Sequence, residues 1–117
     1  MSYDIRLLDS VTRKPILFDK PHRIKGGTYA MHGTKEAWLN VTYNYFHHFK
    51  RMGRKGLRSI YGKTGAESIP ILKKTIEALG DDIDKNYWKP TEGNAKRALL
   101  SLMAFAQMRP DGVWAGD

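Results

Sequence analysis

A dense run of basic side chains between residues 50 and 63 is the feature of this sequence that most favours a specific chemistry. The run contains no carboxylate and holds Lys50, Arg51, Arg54, Lys55, Arg58 and Lys63. Such a stretch favours an anionic partner, which is a nucleic acid, a nucleotide or an acidic protein face. A solvated basic surface that keeps a small protein soluble explains the run equally well, and both interpretations stay open at this point.

Polar and aromatic side chains precede the run. If this part of the chain is a helix, one line along it holds Asn40, Asn44, His47 and Arg51. Amide, imidazole and phenol groups side by side suit hydrogen bonding and stacking to a base, or a polar protein interface. We therefore interpret Tyr43, Asn44 and His47 as recognition residues, and alanine at Tyr43 or His47 would cost about 1 kcal/mol or less if they are exposed. In the alternative, Asn40 and Asn44 bond main-chain groups of the loop at residues 26–27.

A phosphate-binding loop is suggested by Gly62-Lys63-Thr64, but the spacing is wrong. Five residues separate Gly56 from Gly62, where the motif has four. One extra residue changes which main-chain N–H groups point at a phosphate, so we exclude a P-loop nucleoside triphosphatase. A looser role, in which amides of the interleaved glycines approach a phosphate, competes with a flexible connection between helices, which we prefer.

Other sites of chemistry are poorly supported by the sequence. The four histidines lack His-x-x-x-His spacing, and Asp81-Asp82-Ile83-Asp84 lacks the ligand order of a calcium loop. Cysteine is absent, which excludes disulfides, thiolate zinc sites and cysteine nucleophiles. We therefore expect a non-enzymatic protein with no catalytic residues, no metal and no cofactor.

The elements that must position these groups predict an α+β fold in one domain, residues 1–117. Residues 3–8 alternate between apolar and polar side chains, as a half-buried strand does, and pair with residues 16–18 in a hairpin. Residues 26–31 would add a third strand. We expect a hairpin or a three-stranded antiparallel sheet, packed on about three α-helices.

Three helices follow in the prediction. The first covers residues 35–52, because Trp38, Tyr45 and Phe49 fall on one face at helical spacing and would be buried. The second follows Ser68 and ends at Gly80. The last begins at Thr91 or Asn94, runs to about residue 108 and is apolar over more than one face, as a central buried helix is. Residues 81–90 read as a loop.

Charge and hydropathy limit the environment. The chain carries a formal net charge of +8, and residues 1–63 contain thirteen basic and four acidic residues. It contains no apolar run long enough to span a bilayer, and its first residues lack the pattern of a secretory signal. We expect a cytoplasmic protein with no membrane partner, and we leave self-association open.

Several distinctive strings resemble a family of small uncharacterised proteins encoded by phages and prophages. They stand at residues 3–5, 26–29, 39–45, 58–62, 64–70, 91–96 and 108–114. The resemblance implies a small accessory protein made inside a bacterial cell, and it carries no activity or site residue.

These features lead to three hypotheses. The first is a non-enzymatic phage-type protein that binds an anionic ligand or a nucleic-acid-handling host complex, as a counter-defence or anti-CRISPR-like inhibitor does. The second is a phage protein that binds DNA or RNA directly. The third is a small enzyme acting on a nucleotide. A positive net charge argues against mimicry of DNA, which needs an acidic surface.

Overall fold

The computed structural model describes residues 1–117 as a mixed α+β fold. Its strands are β1 (Ser2–Leu8), β2 (Leu17–His22), β3 (Thr34–Glu36), β4 (Trp38–Thr42) and β5 (Val113–Gly116). Its α-helices are α1 (Phe46–Phe49), α2 (Gly65–Ala78) and α3 (Glu92–Met108). Single 3₁₀ turns cover Tyr43–Tyr45, Lys50–Met52 and Gly56–Ile60. The predicted fold class, a small antiparallel sheet with three helices, is confirmed.

The main sheet is antiparallel with strand order β4-β1-β5. The central strand β1 alternates as its sequence predicts, with Tyr3, Ile5 and Leu7 buried on one face. Ile5 is opposite Leu39 of β4, and Leu7 is opposite Trp114 of β5. The apolar alternation therefore determines which face of the sheet meets the helices.

The predicted hairpin between residues 3–8 and 16–18 is reduced to one bridge, which joins Leu8 to Pro15. The strand β2 pairs with β3 instead, in a separate two-stranded sheet. Residues 26–31 are not a strand. They contain the close approach of Gly26 to the main chain of Asn40, which replaces strand pairing there.

The predicted long helix over residues 35–52 is wrong. Its first half forms β3 and β4, and only the short helix α1 and its flanking 3₁₀ turns follow. Trp38, Val41 and Thr42 have bulky or β-branched side chains, and pairing with β1 rewards them more than an isolated helix would. Tyr45 and Phe49 are buried as expected, whereas Trp38 is half-buried and donates its indole N–H to the Asp4 carboxylate.

Helices α2 and α3 follow local signals closely. Thr64 and Glu67 form a reciprocal capping box, so α2 starts a few residues before the predicted Ser68. Thr91 caps α3 through the N–H of Asn94, and α3 ends at Met108 as predicted. The two helices contact each other and share one hydrophobic core with the main sheet. Trp114 of β5 donates its indole N–H to the Ser68 hydroxyl at 2.8 Å. None of the helices has the length and apolar character that crossing a bilayer requires.

Gly26 fixes the segment at residues 23–28 against β4. A Cβ atom at this position would lie 1.8 Å from the main-chain oxygen of Asn40, and the N–H of Thr28 donates to Asn40 Oδ1 at 2.9 Å. We expect Gly26→Ala to lower the free energy of unfolding by about 2–3 kcal/mol, since the backbone must move. Gly80→Ala is the matched control, because a Cβ there meets nothing closer than 3.7 Å. Equal stability of the two variants in urea denaturation would contradict this prediction.

Candidate anion-binding surface

The basic segment, residues 50–63 with its six cations, contains the two 3₁₀ turns Lys50–Met52 and Gly56–Ile60, which residues 53–55 connect. Gly56 begins the second turn with φ +61°, a conformation that favours glycine. Met52, Leu57 and Ile60 are buried and anchor the segment to the core. Apolar residues therefore hold the backbone, and the long basic side chains between them project outward.

Four of the cations are exposed and have no acidic partner. They are Lys50, Arg51, Arg54 and Lys55. The ion pairs of the structure involve Arg6, Lys89, Lys96 and Arg109 instead. The Cα atoms of residues 50 and 55 are at most about 18 Å apart even in a fully extended chain, so these charges form one local surface. Their unpaired donors are available to an anion.

Aromatic groups border these cations. The Phe46 ring is 41% exposed, and Lys50 Nζ lies 5.1 Å from its centroid. His47 is exposed, and its ring lies against that of His48 at a tilt of 41°, with centroids 3.9 Å apart. Partial desolvation, followed by the neighbouring charges of His48, Lys50 and Arg51, lowers the pKa of His47 below its ordinary value. His47 is therefore mainly neutral at pH 7 and adds a hydrogen-bonding ring rather than a charge.

Arg58 differs from the other cations because the protein itself uses its guanidinium. Nη2 donates to the Tyr43 hydroxyl at 2.7 Å, and Nε donates to the main-chain oxygen of Asp117 at 2.9 Å. The group also lies over the rings of Tyr3 and Tyr43, 5.0 and 5.4 Å from their centroids. Arg58 thus joins β1 to the residues that follow β4, and only part of its donor capacity remains for a partner.

The predicted line of recognition residues is not formed, because the helix that would align them is absent. Asn40 lies buried in β4 and bonds Thr28 N–H and the Ser2 hydroxyl. The alternative interpretation is confirmed for Asn40, whose partner lies directly after residues 26–27. Asn44 is exposed, but its amide donates to the Trp88 carbonyl at 2.9 Å. Of the three recognition residues, His47 has the side chain most open to a partner.

The glycine amides near Lys63 are not free for a phosphate. Gly62 N–H donates to Trp114 O at 2.8 Å, and Lys63 N–H donates to Ile60 O at 3.0 Å. Gly65 N–H donates to Gly112 O at 2.8 Å. Internal hydrogen bonds of this kind must break before such an amide can bind an anion. Lys63 itself is half-buried, so the exposed cations at residues 50–55 carry the available charge.

The half-burial of Tyr43 changes the expected cost of removing it. Its ring packs edge-on against Tyr3, with centroids 4.7 Å apart, and its hydroxyl accepts from Arg58. We expect Tyr43→Ala to lower the free energy of unfolding by about 2 kcal/mol, and His47→Ala by less than about 1 kcal/mol. Thermal melts of the two variants check this, and a larger loss for His47→Ala would contradict it. The earlier estimate of about 1 kcal/mol or less for Tyr43 assumed exposure.

A second group of cations lies outside the basic segment, and the sequence pattern did not indicate it. A cleft of about 590 Å³ is lined by Arg23, Lys25, Lys85 and Arg97. They come from three separate parts of the chain, so no run or spacing in the sequence marks them. Only the fold brings them together.

No group of three or more His, Asp or Glu side chains lies close enough together to hold a metal ion. The acidic residues 81–84 act within the fold. Asp81 pairs with Lys96 at 2.7 Å, and Asp82 accepts from Gly93 N–H at 3.1 Å.

Comparison with known protein families, curated proteins and solved structures finds no match to this chain. Its function is therefore inferred from the charges, contacts and exposure of these surfaces.

Proposed function

We propose that this protein is a non-enzymatic binding protein whose basic segment binds nucleic acid, either free or within a host nucleoprotein complex. The observation that carries the proposal is the set of exposed, unpaired cations at Lys50, Arg51, Arg54 and Lys55. Neutralising phosphates with such side chains releases counterions, and this supplies most of the affinity of a sequence-independent contact.

Phe46 and His47 favour single-stranded nucleic acid over a compact anion. Both rings are exposed beside Lys50 and Arg51. Unstacked bases can lie on such rings while the cations follow the phosphates, and stacking contributes about 1–3 kcal/mol per base. An acidic protein face would use the cations but would gain little from the rings.

A binding role also agrees with how the acidic residues of the loop are used. Asp81 and Asp82 hold the loop to α3, and Asp84 Oδ1 accepts from the N–H of Asn86 at 2.8 Å. General acid–base catalysis needs a carboxylate directed at substrate. These carboxylates are directed at the protein itself.

In a phage context, the same surface would act against host defence. A small basic protein that binds the phosphates of nucleic acid held by a host complex would block that complex, and the positive net charge of +8 suits binding to phosphates rather than mimicry of DNA. A pull-down from host lysate with and without nuclease separates the two forms of the proposal. Nuclease-sensitive capture indicates free nucleic acid, and nuclease-resistant capture indicates a complex.

Direct binding is tested by fluorescence anisotropy with a labelled single-stranded DNA oligonucleotide. A peptide nucleic acid of the same base sequence is the matched control, because its backbone is uncharged. We expect binding to the DNA and much weaker binding to the control. Equal affinity for the two, or no binding to DNA at low salt, would contradict direct binding through the basic segment.

A further inference from the structure

The cleft of about 590 Å³ is separate from the basic segment, since no residue of that segment lines it. It lies between residues 23–25, β4, residues 84–87 and α3. Its volume falls in the range of small-molecule sites, which is about 300–1,000 Å³. The cleft is therefore large enough for a metabolite or a nucleotide.

The charge of the cleft is strongly positive. Its lining contains Arg23, Lys25, Lys85 and Arg97, and none of these cations has an acidic partner. The single carboxylate of the lining is Asp84, and it is already occupied. Its Oδ2 lies 3.3 Å from Lys89 Nζ, and its Oδ1 accepts from Asn86 N–H. Four cations thus face the space with almost no opposing charge.

The other polar groups of the lining are used within the protein. Asn94 accepts from Asp84 N–H at 3.0 Å and donates to the carbonyls of Asn86 and Lys89, each at 3.0 Å. The Tyr87 hydroxyl accepts from Thr42 N–H at 2.9 Å and donates to Asn40 O. These hydrogen bonds tie residues 84–89 to β4 and α3, and they leave few neutral donors or acceptors of the lining free. The side chains open to a ligand are the four cations.

A hydrogen-bonded lining that carries several unpaired cations suits a small, highly charged anion. One guanidinium group can donate two parallel hydrogen bonds to the oxygens of a phosphate, and an ammonium group adds a compact positive charge. We propose that this cleft binds a small molecule that carries clustered phosphates, such as a nucleoside triphosphate or tripolyphosphate. The ligand oxygens would take donors from Arg23 and Arg97, with Lys25 and Lys85 completing the charge. The site goes beyond the proposed function, because its residues and its ligand class are both different.

Isothermal titration calorimetry without added Mg²⁺ tests the ligand class with three probes: ATP, tripolyphosphate and adenosine. We expect ATP and tripolyphosphate to bind and adenosine not to bind. Equal affinity for the first two assigns recognition to the phosphates alone, and tighter binding of ATP adds contacts from the nucleoside, so both results support the proposal. Binding of adenosine as tight as that of ATP, or no binding of either phosphate compound, would overturn it.

Variants locate the site. Removing one charge-assisted contact lowers affinity about tenfold, so Arg23→Glu combined with Arg97→Glu should weaken tripolyphosphate binding by about 100-fold or more. The matched control is Lys73→Glu with Lys74→Glu, two exposed cations of α2 outside the cleft. It should change affinity by no more than a few-fold. If the first variant melts early, the single Lys85→Ala change, at an exposed side chain, replaces it, with an expected loss of about tenfold.

The basic segment is tested separately in the same assay. Arg51→Glu, Arg54→Glu and Lys55→Glu together should leave tripolyphosphate binding within a few-fold of the original. Loss in the cleft variant but not in this one supports the proposal, whatever becomes of nucleic-acid binding. Loss in this variant and not in the cleft variant would overturn it.

Discussion

Phe49→Ala is expected to lower the free energy of unfolding by about 3–5 kcal/mol, because it empties a buried space that neighbouring rings cannot refill. Phe49 is fully buried. Its ring meets Tyr3 and Tyr45 edge-on, with centroids 6.1 and 6.2 Å away. These contacts join β1 to the short helix α1, and so they fix the segment from which the basic residues project.

The size of this loss is measured by urea denaturation, with Phe46→Ala as the matched control. Phe46 has the same side chain on the same helix but is 41% exposed, so its removal should cost about 1 kcal/mol or less. A domain has only about 5–15 kcal/mol of stability, so Phe49→Ala should be clearly destabilised. Similar losses at both positions would show that the packing described for Phe49 is wrong.

Charge reversal of the basic segment should remove nucleic-acid binding and leave folding intact. In the triple variant, Arg51, Arg54 and Lys55 are each replaced by Glu, which takes away three of the four exposed cations and adds three repelling charges. We expect an affinity loss of at least about 100-fold in anisotropy titrations with single-stranded DNA. The melting temperature should change little, because exposed unpaired charges contribute little to stability.

A control of equal charge isolates the position from the net charge. Lys20→Glu, Lys73→Glu and Lys74→Glu change three exposed cations elsewhere. This variant should lose only several-fold in affinity through the weaker overall field. Equal losses in the two triple variants would mean that the basic segment is only solvated surface. Arg58 is left out of the test because its bonds to Tyr43 and Asp117 would make its reversal destabilising.

Local signals predicted much of the fold. The alternation of Tyr3, Ile5 and Leu7 correctly identified the strand and its buried face. The start of α3 was narrowed to Thr91 or Asn94, and Thr91 is the cap, since a cap acts through its own hydrogen bond to the next turn. Such signals depend only on residues that are close in sequence, and they can therefore be identified without knowledge of the whole fold.

Pairing between distant parts of the chain was not predictable in the same way. Trp38, Tyr45 and Phe49 stand at helical spacing, yet Trp38–Thr42 forms the strand β4 and pairs with β1. This spacing is compatible with one long helix, and it is equally compatible with a strand followed by a helical turn. The free energy of sheet pairing decides between these two structures. The cations of the cleft were missed for a related reason, because three remote segments supply them.

The candidate surface was predicted by composition but not by geometry. The four cations Lys50, Arg51, Arg54 and Lys55 are exposed and unpaired, as an acid-free stretch suggests. The role of Arg58 depends on Tyr43 and Asp117, fifteen residues before it and fifty-nine after it. That contact depends on the sheet, and only the folded chain reveals that one cation of the run is partly used within the protein.

The central claim, that the exposed cations of the basic segment bind nucleic-acid phosphates, is tested most directly by salt titration. The measurement is the affinity for single-stranded DNA over a series of salt concentrations, for the unaltered protein and the Arg51, Arg54 and Lys55 reversal variant. Four phosphate contacts predict a slope of log affinity against log salt of about −3, and the one cation left in the variant predicts about −0.7. A slope near zero for the unaltered protein, or the same slope for both proteins, would contradict the account.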